Sequence, residues 1–229
     1  GAEPGKVRGL VIPEFDFKKH VRHLVPDPNL PVEVWIDPGQ HCYALWFVQV
    51  WGLTTFCIDR IYARNRIAQD VIPEAMAHPL WKLVNPASAG VIDNAGKQRH
   101  ANKSQVELWQ EIAGVSLRSQ YIALDTTIDT IRFRLRDKNP THAPMIFFND
   151  HMNAEVGPDG LAIDVLAEFE LWRWPERKDD AQSNKPVRPI DRNNDAIKAL
   201  GYGLLDHFGY YVDRPSLPPP TDTPYWGVP

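Results

Sequence analysis

The stretch that decides the fold is VEVWIDPG, residues 32–39. Residues 32–37 read as a strand, and the turn pair Pro38-Gly39 gives the backbone an abrupt exit, which leaves Asp37 at the strand tip. Outward from it, residues 43–51 and 54–62 are two more runs rich in aromatic and β-branched residues, separated by Gly52-Leu53. A hairpin therefore follows the first strand, and three antiparallel strands open the fold. Further on, GVID at residues 90–93 repeats the first ending, a short buried strand closed by a second aspartate, Asp93.

Between and after these strands the helical spacing appears. Residues 70–78 form a short helix, and residues 104–113 another, with Ser104 and Glu107 in capping-box positions and Gly114 as the stop. Ile128, Ile131 and Leu135 mark a helix over 127–136, residues 145–148 make the last strand, and residues 160–174 are expected to be helical. The polar run 175–193, interrupted by Pro186 and Pro189, reads as a mobile loop. Helix returns with Asn193 or Asn194 as its cap and Ile197, Leu200, Leu204 and Leu205 as its apolar face, ending near Gly209. The proline-rich tail 213–229 is expected to be extended and weakly ordered.

An apolar fraction of 43% in 229 residues is enough for a sizeable core, read here as one domain. No stretch approaches the roughly 18 apolar residues of a membrane span, and residues 1–9 lack the plan of a signal peptide, so no membrane is expected among the partners. Cys42 and Cys57 lie in strand-like apolar runs, which points to buried free thiols and a reducing cytoplasm. The net charge of −4 argues against tight DNA binding by overall charge, although basic residues can still gather along one groove.

Phosphodiester cleavage by two metals needs carboxylates converging on cations roughly 3.5–4 Å apart. Asp37 and Asp93, if their strands are neighbours, project from one sheet edge, and a helix crossing that edge can bring Asp195. The ordinary role of a lone strand-end aspartate is a turn cap. These three acids gain weight from a resemblance that covers nearly the whole chain. GLVIPEFD at residues 9–16, with His20-Val21, resembles the segment joining the ATPase and nuclease domains in large terminase subunits of tailed bacteriophages. Asp37-Pro38-Gly39 is similar to that family's first metal-binding motif, IDNAGK at residues 92–97 to its second acidic motif, EFELWRW at 168–174 to its late helix, and NDAIKALGY at 194–202 to its last motif. Two departures stand out: relatives often carry paired acids where this chain has Asn194-Asp195, and an acid-Ala pair where it has Lys198-Ala199.

The resemblance implies an α/β, ribonuclease-H-like mixed sheet, three antiparallel strands and then parallel ones, flanked by helices. It implies a connecting segment over 1–31, a nuclease domain over 32–212 and a tail over 213–229. It further implies an endonuclease that cuts concatemeric double-stranded viral DNA, with Asp37, Asp93 and Asp195 holding two Mg²⁺ or Mn²⁺ ions, in the cytoplasm of the infected host. The portal protein and the small terminase subunit would be partners through the full-length motor. The sequence contains no GxxxxGK[ST] phosphate loop, so neither ATP binding nor ATP hydrolysis is expected of this piece.

Asp59, closing the third strand, and Asp191 are further candidate ligands. A surface ion pair with Arg60 or Arg64 is the competing role for Asp59. Asp150 and His151 follow the last strand, where a histidine could orient water or phosphate, or be merely solvated. Lys97, Arg99, His100 and Lys103 follow the second acid and are candidate phosphate contacts, as are Lys185 and Arg188, with Arg192, on the 175–193 loop. Arg132 and Arg136 share a helical face that could line a groove. Two other functions stay open: a Holliday-junction resolvase on the same plan, or a catalytically weak DNA clamp or motor-docking module.

Overall fold

The computed structural model describes residues 9–39, 41–93, 103–119, 121–136, 143–175 and 187–209. Within them seven strands form one mixed sheet: β1 (Val21–Arg22), β2 (Glu33–Pro38), β3 (Cys42–Trp51), β4 (Thr54–Arg64), β5 (Gly90–Ile92), β6 (Leu117–Arg118) and β7 (Ile146–Asn149). Their order is β1-β7-β4-β3-β2-β5-β6. β2, β3 and β4 pair antiparallel, and every other neighbouring pair is parallel. As a result β2, β4, β5 and β7 all end at the same edge of the sheet.

Among the described residues six α-helices flank the sheet: α1 (Phe17–His20), α2 (Ala68–Ala77), α3 (Gln105–Ala113), α4 (Leu124–Leu135), α5 (Ala167–Leu171) and α6 (Asp195–Phe208). The two-residue period of β2 decides which side chain meets which layer. Val34 and Ile36 join the core beneath α2 and α3, with Leu45, Phe47, Val71, Ile72 and Trp109. Trp35 faces the other way, into a core shared with Trp46, Phe148, Ile131, Ile197 and Leu200 beneath α4 and α6. Asp37 follows the parity of Trp35 and belongs to the α6 side.

One irregularity changes that parity. β3 and β4 pair Phe47 with Asp59 but Val48 with Cys57, so Ile58 is an extra residue in a β-bulge. Ile58 and Asp59 both lie on the α2 side, and beyond them Tyr62 returns to the α6 side.

Two glycines let α6 lie low on the sheet. A Cβ on Gly203 would overlap the Trp35 ring, and one on Gly201 would overlap Thr127 of α4. α3 carries the capping box expected of Ser104 and Glu107, and Gly114 ends it at φ +68°.

Some elements differ from the sequence reading. The helix expected over 160–174 shrinks to Ala167–Leu171, because Gly157 to Gly160 form a turn closed by a bridge between Val156 and Ala162. α1, β1 and β6 have no counterpart in that reading, being only four, two and two residues long. Residues 9–31, the greater part of the expected connecting segment, pack into the same core: Val11 and Ile12 are buried, and His20 bonds the Leu135 carbonyl at 2.9 Å. Part of the 175–193 loop and the whole 213–229 tail lie outside the described residues. No described helix is long and apolar enough to cross a membrane.

Candidate active site

A row of side chains crosses the shared strand edge on the α6 side. Asp37 pairs with Ala44 of β3, and Ala44 with Tyr62 of β4. In the other direction the β2–β5 register ends at Ile36 and Ile92, and the Asp93 N–H carries the ladder one step further by donating to the Ile36 carbonyl at 3.1 Å. Val91 lies in the α6-side core and Ile92 in the opposite one, so alternation returns Asp93 to the α6 side. There its charge acts on the hydroxyl of Tyr202 of α6, which is pushed up by burial, by Asp37 and by Asp93. The row thus reads Asp93, Asp37, Ala44, Tyr62.

The start of α6 supplies the third acid. Asn194 occupies the cap position but makes no side-chain cap bond, contrary to the sequence expectation. Glu168 of α5 caps the helix instead: its Oε2 accepts from Ile197 N–H at 2.9 Å. Its Oε1 accepts from the Tyr62 hydroxyl at 2.7 Å, and the Trp46 indole donates to the Ala196 carbonyl at 2.7 Å. The first turn of α6 is therefore tied to β3, β4 and α5 at once. The turn after β2 passes close by, since a Cβ on Gly39 would come 3.1 Å from Asp195 Oδ1.

The electrostatics follow from crowding acids where water is scarce. Asp37 is 7% exposed. Burial pushes its carboxyl well above the usual range; Lys198 draws it down, and Asp195, Asp93 and Glu168 push it up again. Glu168 is fully buried and raised to about 7, first by burial and then by Asp195, against its amide and tyrosine bonds. Asp195 is raised by burial, lowered by Lys198 and raised by Asp191. Carboxylates feeling each other in this way are hard oxygen donors of the kind that suit Mg²⁺ or Mn²⁺. Among the described residues, no three His, Cys, Asp or Glu side chains are already close enough to hold an ion together. Beside the acids opens a cleft of about 650 Å³, lined by Asp37, Tyr62, Arg64, Arg192, Asp195 and Lys198, among others.

The remaining candidates are distributed as follows. Asp59 stands opposite Phe47, three residues before Tyr62 on β4, so alternation puts it on the far face and outside the acid row, held by His78 Nε2 at 3.1 Å, His151 Nε2 at 3.0 Å and Arg60. Asp150 lies 3.5 Å from His23. Asp191 lines the cleft, but its side chain is 84% exposed and paired with Lys198 at 2.8 Å. Lys103 is exposed and paired with Glu111 at 2.5 Å, and Arg188 is exposed. Arg132 and Arg136 do not stand free along a groove: both bind Glu14. Lys97, Arg99, His100 and Lys185 lie outside the described residues. Cys42 and Cys57 are free and buried.

Tyr62, Glu168 and Tyr202 carry no assigned role in the sequence reading. Two signals mark Glu168 in the sequence: an acid between Ala167 and Phe169, and its place at the head of the EFELWRW motif. Glu168→Ala leaves the Ile197 amide without its acceptor, and a lost cap costs about 1–2 kcal/mol. The expected result is a lower melting temperature with faster amide exchange at Ile197. Unchanged exchange at that amide would show that the cap does not hold α6.

No protein-family model matches the chain, and no curated protein matches it by sequence. Solved structures do resemble it. The large terminase of a thermophilic bacteriophage superposes with a TM-score of 0.63 at 17% identity, over 87% of this chain and 45% of that one. The P22 large terminase nuclease domain gives 0.58 at 11% identity, over 87% and 92%. The nuclease domain of the bacteriophage SPP1 large terminase, with bound Mn, gives 0.52 at 13%, over 81% and 94%. The chain spans less than half the length of the first of these proteins. Its fold is the ribonuclease-H-like one of these nuclease domains.

Proposed function

We propose that this chain is the nuclease domain of a large terminase subunit and cuts double-stranded viral DNA during genome packaging by divalent-metal-dependent hydrolysis. The observation that carries the reading is the convergence of Asp93 and Asp37, neighbours at one strand edge, with Asp195 on the helix that crosses it. The fold shared with nuclease domains, one of them with bound Mn, supports it. In this reading Asp37 is the central ligand, Asp93 and Asp195 flank it, and two Mg²⁺ or Mn²⁺ ions would supply an activated water and charge to stabilise the leaving oxygen. Burial of Asp37 keeps competing water away from its carboxylate. Tyr202 stands beside Asp93 and feels its charge, and Glu168 with Tyr62 fixes the helix turn that carries Asp195.

Phosphate contacts are assigned to Lys103 and Arg188, with Lys97, Arg99, His100 and Lys185, joined by Arg64 and Arg192 on the cleft wall. Such contacts position the backbone and carry no base information. In the packaging motor the domain would act beside the portal protein and the small terminase subunit, in the cytoplasm of the infected host. With a chain charge of −4, affinity would rest on this local basic lining.

The test is cleavage of plasmid and linear duplex with Mn²⁺ or Mg²⁺, against chelated controls and a four-way junction. The expected products are double-strand breaks without a consensus at the mapped ends. Between roughly 50 and 200 mM salt the rate at subsaturating DNA should fall tenfold or more. A sharp consensus would mean base readout, cleavage confined to the junction would make the protein a resolvase, and binding without cleavage under any divalent cation would leave a clamp.

A further inference from the structure

Lys198 stands where the family resemblance leads one to expect an acid, and its surroundings give it a task. It lies one turn beyond Asp195 on α6, and residues three apart share a helix face. It lines the same cleft as Asp37 and Asp195, and its charge is felt by both. Its side chain is only 20% exposed, yet its ammonium reaches outward to Asp191, 2.8 Å away and 84% exposed. The neighbouring cations bond groups outside the acid cluster: Arg64 the Asp159 carboxylate at 3.1 Å, and Arg192 the Asp159 carbonyl at 2.8 Å. His41 acts on Asp195 from the cleft wall.

We propose that Lys198 is a built-in counter-cation of the acid cluster that competes with the second of the two divalent ions, and that Asp191 is the outer anchor that draws it aside. This rests on the metal-site reading given above. A lysine ammonium is a compact charge on a flexible four-carbon stem, so it can turn between Asp191 and the inner acids. Turned inward it neutralises carboxylate charge and repels an arriving dication; held by Asp191 it leaves the inner acids to the metal. Asp191 thereby acts on metal affinity as a positioning residue, without itself being a ligand.

The two residues must then have opposite effects on metal binding. In calorimetric Mn²⁺ titrations of the metal-free chain, the wild type is expected to bind two ions with unequal affinity. Lys198→Met should tighten the weaker ion about tenfold, and Asp191→Asn should loosen it by a similar factor, as a singly charged group a few ångströms away dictates. The double variant should behave like Lys198→Met, because the anchor has no effect once the arm is gone. Lys198→Gln, which keeps a polar head, guards against a packing artefact and should also tighten the ion. An unchanged or looser second ion in both Lys198 variants overturns the proposal. A double variant that binds as weakly as Asp191→Asn also overturns it, by making Asp191 a ligand. Asp37→Asn separates the two readings: loss of Mn²⁺ binding there keeps the metal site whatever Lys198 does, whereas wild-type binding there removes the site and this proposal with it.

Discussion

Asp37→Asn is expected to reduce DNA cleavage roughly a thousandfold or more, the scale of losing a central charge-stabilising group. The same change should raise the melting temperature of the metal-free protein at pH 8. Asp37 is buried at the middle of the acid row, and its folded pKa stands well above the ordinary 3.8. A carboxyl raised in this way contributes its full stability below the unfolded pKa and loses it as pH rises through the folded one. The aspartate therefore costs the fold most at neutral and alkaline pH, and the asparagine removes that cost. The stability gap between the two proteins should be widest near pH 8 and close below about pH 4. Mn²⁺ should raise the melting temperature of the wild type and not of the variant, since only a bound ion shifts the unfolding equilibrium. Cleavage retained by Asp37→Asn would remove this residue from the site, and a variant less stable at pH 8 would show that Asp37 is held by compensating bonds.

Gly203→Val is expected to have the largest effect on stability, a loss of about 3 kcal/mol or more, because overpacking that meets a fully buried ring cannot relax by moving a surface chain. Even the first atom of a side chain at this position would overlap the Trp35 ring, which is fully buried. Trp35 cannot retreat, since its indole donates to Glu33 at 2.9 Å and Glu33 is bound to Arg118 and His207. The helix must rise instead, carrying Asp195 away from Asp37. Denaturant unfolding should show the stability loss, and Mn²⁺ affinity should weaken in whatever fraction still folds. Near-native stability would mean that α6 is free to lift off the sheet.

The β2–β3–β4 core of the fold was legible because two-residue alternation and the turns Pro38-Gly39 and Gly52-Leu53 are local signals. The capping box at Ser104 was legible for the same reason. β1 and β6 were not, being two-residue strands whose register is set by β7 and β5. The helix expected over 160–174 gives way where Gly157 and Gly160 support a turn, a competing local preference that apolar spacing does not reveal. Within the site, Asp37 and Asp93 could be placed because each ends a strand. Glu168 could not, since its bond to Ile197 spans 29 residues and replaces the expected cap from Asn194. For Asp59 the sequence left a metal ligand and an ion pair with Arg60 or Arg64 both open, and the structure shows the Arg60 pair, with β4 running past it to Arg64.

The extra residue at Ile58 is a unit of slack in the length of β4, for the strand carries one residue more than its ladder with β3 requires. Excising Ile58 would leave every pair as it stands, with Cys57 opposite Val48, Asp59 opposite Phe47 and Tyr62 opposite Ala44, and the ladder would simply become regular. Excising Arg60 would use up the same slack differently. Ile58 would then move opposite Phe47 and Asp59 opposite Trp46, which turns the aspartate to the α6 side while Tyr62 keeps its place against Glu168. A further deletion would find nothing left to absorb it, and Tyr62 would fall out of step with Cys57 and lose its hold on the turn that carries Asp195.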